Sequence, residues 1–288
     1  MEVQVFDDRV CQLGEGALWH PERQQFFWFD ILQNRLLSRV GEKALSWQFE
    51  EHVSAAGWVD RNSLLIASEC SLALFNIETG SHDFICHVEQ NNPITRSNDG
   101  RADPWGGFWI GSMGKAEEHK GGAIYRYYRG ELRCLYPDFT ITNSISFSPN
   151  GLFAYFSDTG RGKIWRQKLN SAHGWPKGEP ELFVDCKAAG VNPDGAVVDQ
   201  QGNLWCAKWG SSQVLAYAPD SEVIATVTLP AAQITCPAFG GERLNQLFAT
   251  SAANGLSTQQ LAQQPLAGQT FVVTGDAFQG QAEHAVIL

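Results

Sequence analysis

Four polar positions recur in the same local setting, at the start of a short apolar run. They are Glu15 in LGEGALW, Asn98–Asp99 in RSNDGRAD, Asn143 in ITNSISF and Asp194 in NPDGAVV. Brought together without a partner, the carboxylates of Glu15 and Asp194 would repel each other and one would hold a proton. A divalent cation relieves that conflict, and Asn143 would add a neutral carbonyl oxygen. An all-oxygen set favours hard cations, with Ca²⁺ first and Mg²⁺ or Mn²⁺ next. Zinc prefers His or Cys and finds no His at a matching position, although zinc on such a set stays open. Asp and Asn before Gly are also ordinary turn formers, so Asp99 suits a turn as well as a site. Glu15 is a poor turn former, which favours a site. NPDGAVVDQQGN lacks the twelfth-position glutamate of a helix–loop–helix calcium loop. No G-x-S-x-G, H-E-x-x-H or phosphate-binding glycine loop occurs.

Such distant residues can meet only if a repeated element presents them alike. The chain carries a weak internal repeat: a polar turn, an apolar run, a Gly/Asn/Asp turn, an aromatic run, and another turn. Counted from Gly14, Gly57, Asn98, Asn143, Asp194 and Pro237, the spacings are about 41 to 51 residues. That is the length of a propeller blade of four short strands. The expected fold is therefore all-β, a six-bladed β-propeller over residues 1–288 as one domain, with a metal in its central channel. The innermost strands line that channel, so residues opening them gather at one mouth. EVQVFD at the start is expected to join the blade completed by TFVVTG and close the ring. Trp19, Phe27, Phe29, Trp109, Trp165 and Trp205 are expected between blades, and Ser257–Thr270 as a loop.

Composition agrees. The 288 residues include 28 Gly, 10 Trp and 17 Phe, with 18% charged residues, which suits short strands and tight turns. A net charge of −10 argues against nucleic acid and anionic membrane as partners. No apolar run approaches the ~20 residues of a membrane span, and the first residues do not read as a secretory leader. Seven scattered cysteines without a C-x-x-C pair speak for a reduced, cytoplasmic protein. Monomer and homodimer are both compatible with the sequence.

The motifs in their order, from LGEGALWHPERQQFFWFDI through RSNDGRADPWGGFWIGSMG and VNPDGAVVDQQGNLWCA to FGGERLNQLFATSA, resemble those of the senescence marker protein/regucalcin, gluconolactonase and luciferin-regenerating enzyme family. The resemblance covers nearly the whole chain. It implies a six-bladed propeller that hydrolyses lactones with one axial divalent metal. Position by position, it puts the metal ligands on Glu15, Asn143 and Asp194, and the substrate-holding residues on Arg96 and Asn98. Asp99 falls beside the metal as a supporting group. The sequence departs from the family at Ser144, where glycine is usual, which is expected to alter the local backbone or crowd the pocket. Lys115, Glu117 and Glu118 lie near a family substrate contact, at a spacing too loose to assign.

The chemistry implied is metal-assisted opening of a sugar lactone to an aldonic acid, with Asp194 as the proton-transfer residue. Two rivals share the architecture: another ester or phosphotriester hydrolase, and a calcium-binding propeller without catalysis. Arg96 and Asn98 favour an enzyme, since a purely structural metal needs no substrate-orienting donors.

Overall fold

The computed structural model describes residues 1–275 and 278–288. Six four-stranded antiparallel sheets follow one another around an axis. Their innermost strands are Gly14–His20, Val53–Asp60, Thr95–Ala102, Thr142–Phe147, Asn192–Val198 and Ile234–Gly240, and we number the blades 1 to 6 in that order. The chain is thus a six-bladed β-propeller. Glu2–Asp7 pairs with Thr270–Thr274 as the outer strand of blade 6. That blade therefore contains both the earliest and the latest strand of the chain, and the ring is closed by hydrogen bonds as the sequence suggests.

Alternation explains where the core lies. In the middle strands of each blade, successive side chains face opposite neighbours, so an all-apolar run such as QFFWFD fills two blade interfaces at once. Six buried apolar clusters result, one at each interface. Phe27 and Phe29 face blade 2, while Phe26 and Trp28 face blade 6. Trp19, Trp109 and Trp205 are buried as expected; Trp165 is only partly buried and packs against Phe139 and Phe156. Truncating one of these aromatics would cost about 3–5 kcal/mol.

One local expectation needs correction. Ser257–Thr270 is not wholly loop: Thr258–Gln263 is helical, started by a capping box between Ser257 and Gln260. His20 is the buried last residue of an inner strand, with Nε2 3.0 Å from the Asp60 carbonyl oxygen. All seven cysteines are free thiols. Among the described residues no helix is long and apolar enough to cross a membrane.

A candidate active site at one mouth of the channel

Every inner strand breaks register with its neighbour near its start. The shifts fall between Glu15 and Leu18, Val53 and Ala55, Ser97 and Gly100, Asn143 and Ser146, Pro193 and Ala196, and Ile234 and Pro237. A bulge puts an extra residue on one strand and re-aims its side chain. The residues left without a cross-strand partner include Asn98, Asp99 and Asp194, while Glu15 and Asn143 are the last paired residues before the break, opposite Phe29 and Ser157. Gly16 takes a left-handed φ of 58°, and a Cβ there would stand 2.2 Å from the Ser54 carbonyl oxygen of the next blade. Only glycine fits so close an approach. The repeat therefore supplies not just strands but a register break near the start of every inner strand.

Glu15, Arg96, Asn98, Asn143 and Asp194 line a single cavity of about 450 Å³, within the usual range for a small-molecule site. Each is at most 7% exposed. Asn98 stands at the centre of a short chain of hydrogen bonds. Its Oδ1 accepts from Arg96 Nη1 at 2.8 Å, and its Nδ2 donates to the Thr142 carbonyl at 2.8 Å and to Asn143 Oδ1 at 3.3 Å. Asn143 Nδ2 in turn donates to Thr159 Oγ1 at 2.9 Å, which fixes its carbonyl oxygen toward the axis side. Glu15 Oε2 and Asp194 Oδ1 each accept the amide N–H of the following glycine, at 3.0 and 3.1 Å, and the two carboxyls lie within hydrogen-bonding reach of each other.

The electrostatics follow from this arrangement. Burial, reinforced by the charge of Asp99, pushes the Glu15 carboxyl up to about 8. Burial and then the charge of Glu15 raise Asp194 well above the ordinary carboxylate range. The pair thus holds a proton that neither acid would keep in water. Burial lowers Arg96 to about 10, against the pull of Glu15 and Glu117. Two buried, like-charged carboxyls with an amide oxygen beside them make a donor set that a hard divalent cation would complete. Among the described residues no group of three His, Cys, Asp or Glu gathers at any point, and here two carboxyls and one amide oxygen make up the set.

Asp99 does not line the cavity. Its Oδ1 accepts from Gly100 N at 2.9 Å and its Oδ2 from Ile145 N at 2.6 Å, so it ties blade 3 to the strand that carries Asn143. Ser144 does not crowd the pocket either. It adopts a left-handed φ of 60° and turns its hydroxyl away, onto the carbonyl oxygen of Asp194.

The structure also brings in residues that sequence reasoning left unassigned or missed. Lys115 and Glu117 line the cavity, and Lys115 is paired with Glu69. Glu118 instead caps its own turn, accepting from Ala116 N at 3.1 Å. Met113, Ile141, Trp209 and Asn254 complete the apolar and polar walls. Met113 closes the GSM motif, but Trp209 and Asn254 carry no signal beyond their positions near strand ends.

Comparison with known proteins finds relatives over nearly the whole chain. The sequence model for the region described as SMP-30/Gluconolactonase/LRE-like matches residues 13–253. L-arabinolactonase of Azospirillum brasilense is 34% identical, over 94% of this chain and 91% of its own. 6-deoxy-6-sulfogluconolactonase of Pseudomonas putida is 31% identical, over 90% of each. Among solved structures, the calcium-binding protein regucalcin of Agrobacterium tumefaciens superimposes with a TM-score of 0.97 at 34% identity, over 100% of this chain and 98% of that one.

Proposed function

The chain belongs to the SMP-30/gluconolactonase/LRE-like family, and on that premise we propose that it is a lactone hydrolase that opens sugar lactones to aldonic acids with the help of one divalent cation. The observation that supports this reading is the convergence of two buried carboxyls that hold a proton, an amide oxygen and the hydrogen-bonded Arg96 and Asn98 on the lining of one cavity.

Glu15, Asn143 and Asp194 would hold the cation, with Ca²⁺ the first choice on their all-oxygen chemistry and Mg²⁺, Mn²⁺ or Zn²⁺ as alternatives. Bound there, a divalent cation polarises a carbonyl and lowers the pKa of water. The chain's own residues do the rest. Arg96, held through Nη1 by the Ser97 carbonyl and Asn98 Oδ1, would orient the lactone carbonyl or the ring hydroxyls with its remaining N–H groups, and Asn98 beside it would complete that edge of the cavity. Asp194 accepts a proton from the attacking water and returns one to the ring oxygen as the C–O bond breaks. Asp99 keeps Asn143 in place through the Ile145 amide. Trp209, Met113 and Ile141 offer apolar walls to the C–H faces of a sugar, while polar groups face its hydroxyls. Such a mixed wall suits a polyhydroxylated ring better than a long aliphatic one. Arg96 and Asn98 beside the carboxyls also favour catalysis over a metal that only fastens the blades.

The test is direct. Protein stripped by chelator and reloaded with Ca²⁺ or Mn²⁺ should acidify solutions of five- and six-membered sugar lactones faster than they hydrolyse alone. No acceleration with any divalent cation across that panel would remove this reading.

A further inference from the structure

Lys208 is fully buried where blade 5 packs on blade 4. A buried lysine ordinarily finds a carboxylate. Among the described residues none pairs with it. Its Nζ lies instead 3.4 Å from Cys186 Sγ and 3.3 Å from Cys206 Sγ, with the Tyr217 ring centre at 4.8 Å. Cys206 and Lys208 stand two apart on Leu204–Trp209, so they share the face turned toward blade 4. Cys186 comes from blade 4, directly after its outer strand Glu181–Asp185. It opens a turn closed by Ala189 and Val191 amides on its own carbonyl, both at 3.1 Å. Residues 187–190 of that turn are exposed while Cys186 is buried, so a peroxide would reach Cys186 through an opening of this turn.

We propose that Cys186, Lys208 and Cys206 form a peroxide-reactive modification site in which Cys186 becomes covalently joined to Lys208, fastening blade 4 to blade 5. In the first step the Cys186 sulfur attacks a hydroperoxide. An S–O bond forms, the O–O bond breaks, and water (or an alcohol) leaves; sulfur is oxidised by two electrons and the peroxide reduced. In the second step Lys208, whose charged form the two sulfurs and Tyr217 favour, releases one proton to solvent and its nitrogen attacks that sulfur. An S–N bond forms, the S–O bond breaks, and hydroxide leaves with an amine proton as water. With hydrogen peroxide, one thiol, one amine and one peroxide give one S–N link and two waters. Once the turn recloses, the sulfenic acid is shut away from bulk thiols, and the amine in contact with it is the near nucleophile. Cys206 on the far side of Nζ holds the amine in place. The inference does not depend on the reaction at the channel mouth.

The test treats the folded full-length protein with hydrogen peroxide, alkylates remaining thiols, and reads intact mass and linked peptides. The expected result is a loss of about 2 Da and a peptide pair joined through Cys186 and Lys208. The link should be undone by a thiol reductant, absent in Cys186→Ser and retained in Cys206→Ser. Lys208→Arg should abolish it, and the serine variants keep the test valid if that substitution does not fold. A Cys186–Cys206 disulfide in place of the lysine link would overturn the proposal. So would Cys186 recovered from folded protein only as free thiol or as uncrosslinked sulfinic acid.

Discussion

The two ends of the central channel handle buried charge in opposite ways. At the lower end, the C-terminal segment crosses the axis. Gln281 Nε2 donates to the Phe147 carbonyl at 2.8 Å, Trp58 Nε1 donates to the Glu283 carbonyl at 2.9 Å, and Val286 N donates to the Trp58 carbonyl at 2.8 Å. Glu283 meets Arg101 in a buried ion pair, and Arg101 also donates to the Ile145 and Ala196 carbonyls at 3.2 Å. The buried charge of Arg101 is thus answered by Glu283. At the upper end Glu15 and Asp194 oppose each other, and their remaining oxygens face an open cavity. At one mouth an ion pair cancels the buried charge, whereas at the other two carboxyls share the guanidinium of Arg96 and still hold a proton. The contrast separates a charge that fastens the ring from charges kept for a ligand.

That distinction breaks most sharply at Asp194. Asp194→Asn should lower kcat of sugar-lactone opening by about 10³-fold while the far-UV spectrum and cooperative melting stay those of the parent. Retained turnover would place the proton-transfer group elsewhere. The matching experiment at the lower end is Glu283→Ala, which strands a buried guanidinium. It should cost about 3–5 kcal/mol of stability by denaturant unfolding, yet change kcat far less than the Asp194 substitution does. If it instead removed activity without loss of stability, the two mouths would not differ as argued.

A third prediction sharpens the comparison through pH. The folded pair at the upper mouth keeps a proton that the unfolded chain releases near the ordinary glutamate value of 4.5, with Glu15 raised to about 8. Between those values the unfolded state binds fewer protons, so stability falls as pH rises. Chelator-treated protein should melt at progressively lower temperature from about pH 5 to 8, and a divalent cation should flatten that slope. Glu15→Gln should flatten it without any metal. A slope unchanged by both would mean the pair is compensated after all.

Much of this was legible in the residues. The blade period, the closing N-terminal strand and the phase of Glu15, Asn98, Asn143 and Asp194 all follow from a repeated strand pattern, because symmetry turns equal sequence position into equal spatial position. What was not legible depends on contacts between different blades. Asp99 reads as a turn or a site residue, and only the 2.6 Å bond to Ile145 N shows that it braces the neighbouring strand. Lys208 reads as a polar residue in a strand; its burial against Cys186 depends on how blade 4 meets blade 5. Trp209 and Asn254 reach the cavity from strand ends and from the segment after Ser251, where no period guides the reader. Ser144 was visible as a departure, but its direction was not.

Ser144 yields the smallest predicted effect and the finest test of how the upper mouth is held. Its left-handed backbone favours glycine, so Ser144→Gly relieves strain. The same change removes the hydroxyl that donates to the Asp194 carbonyl and accepts from Ser157 Oγ at 2.9 Å. Each contribution is about 1 kcal/mol with opposite sign, so net stability should move by less than that. The backbone of Asp194 would nevertheless lose its tether. The expected outcome is a melting temperature close to the parent's with kcat reduced about two- to fivefold and KM little changed, since at most about 1 kcal/mol of positioning is at stake. Ser144→Ala keeps the strain and loses the bond, and should therefore be the less stable of the two variants with a similar fall in kcat. Equal kcat in all three proteins would show that Asp194 is held by its own blade alone.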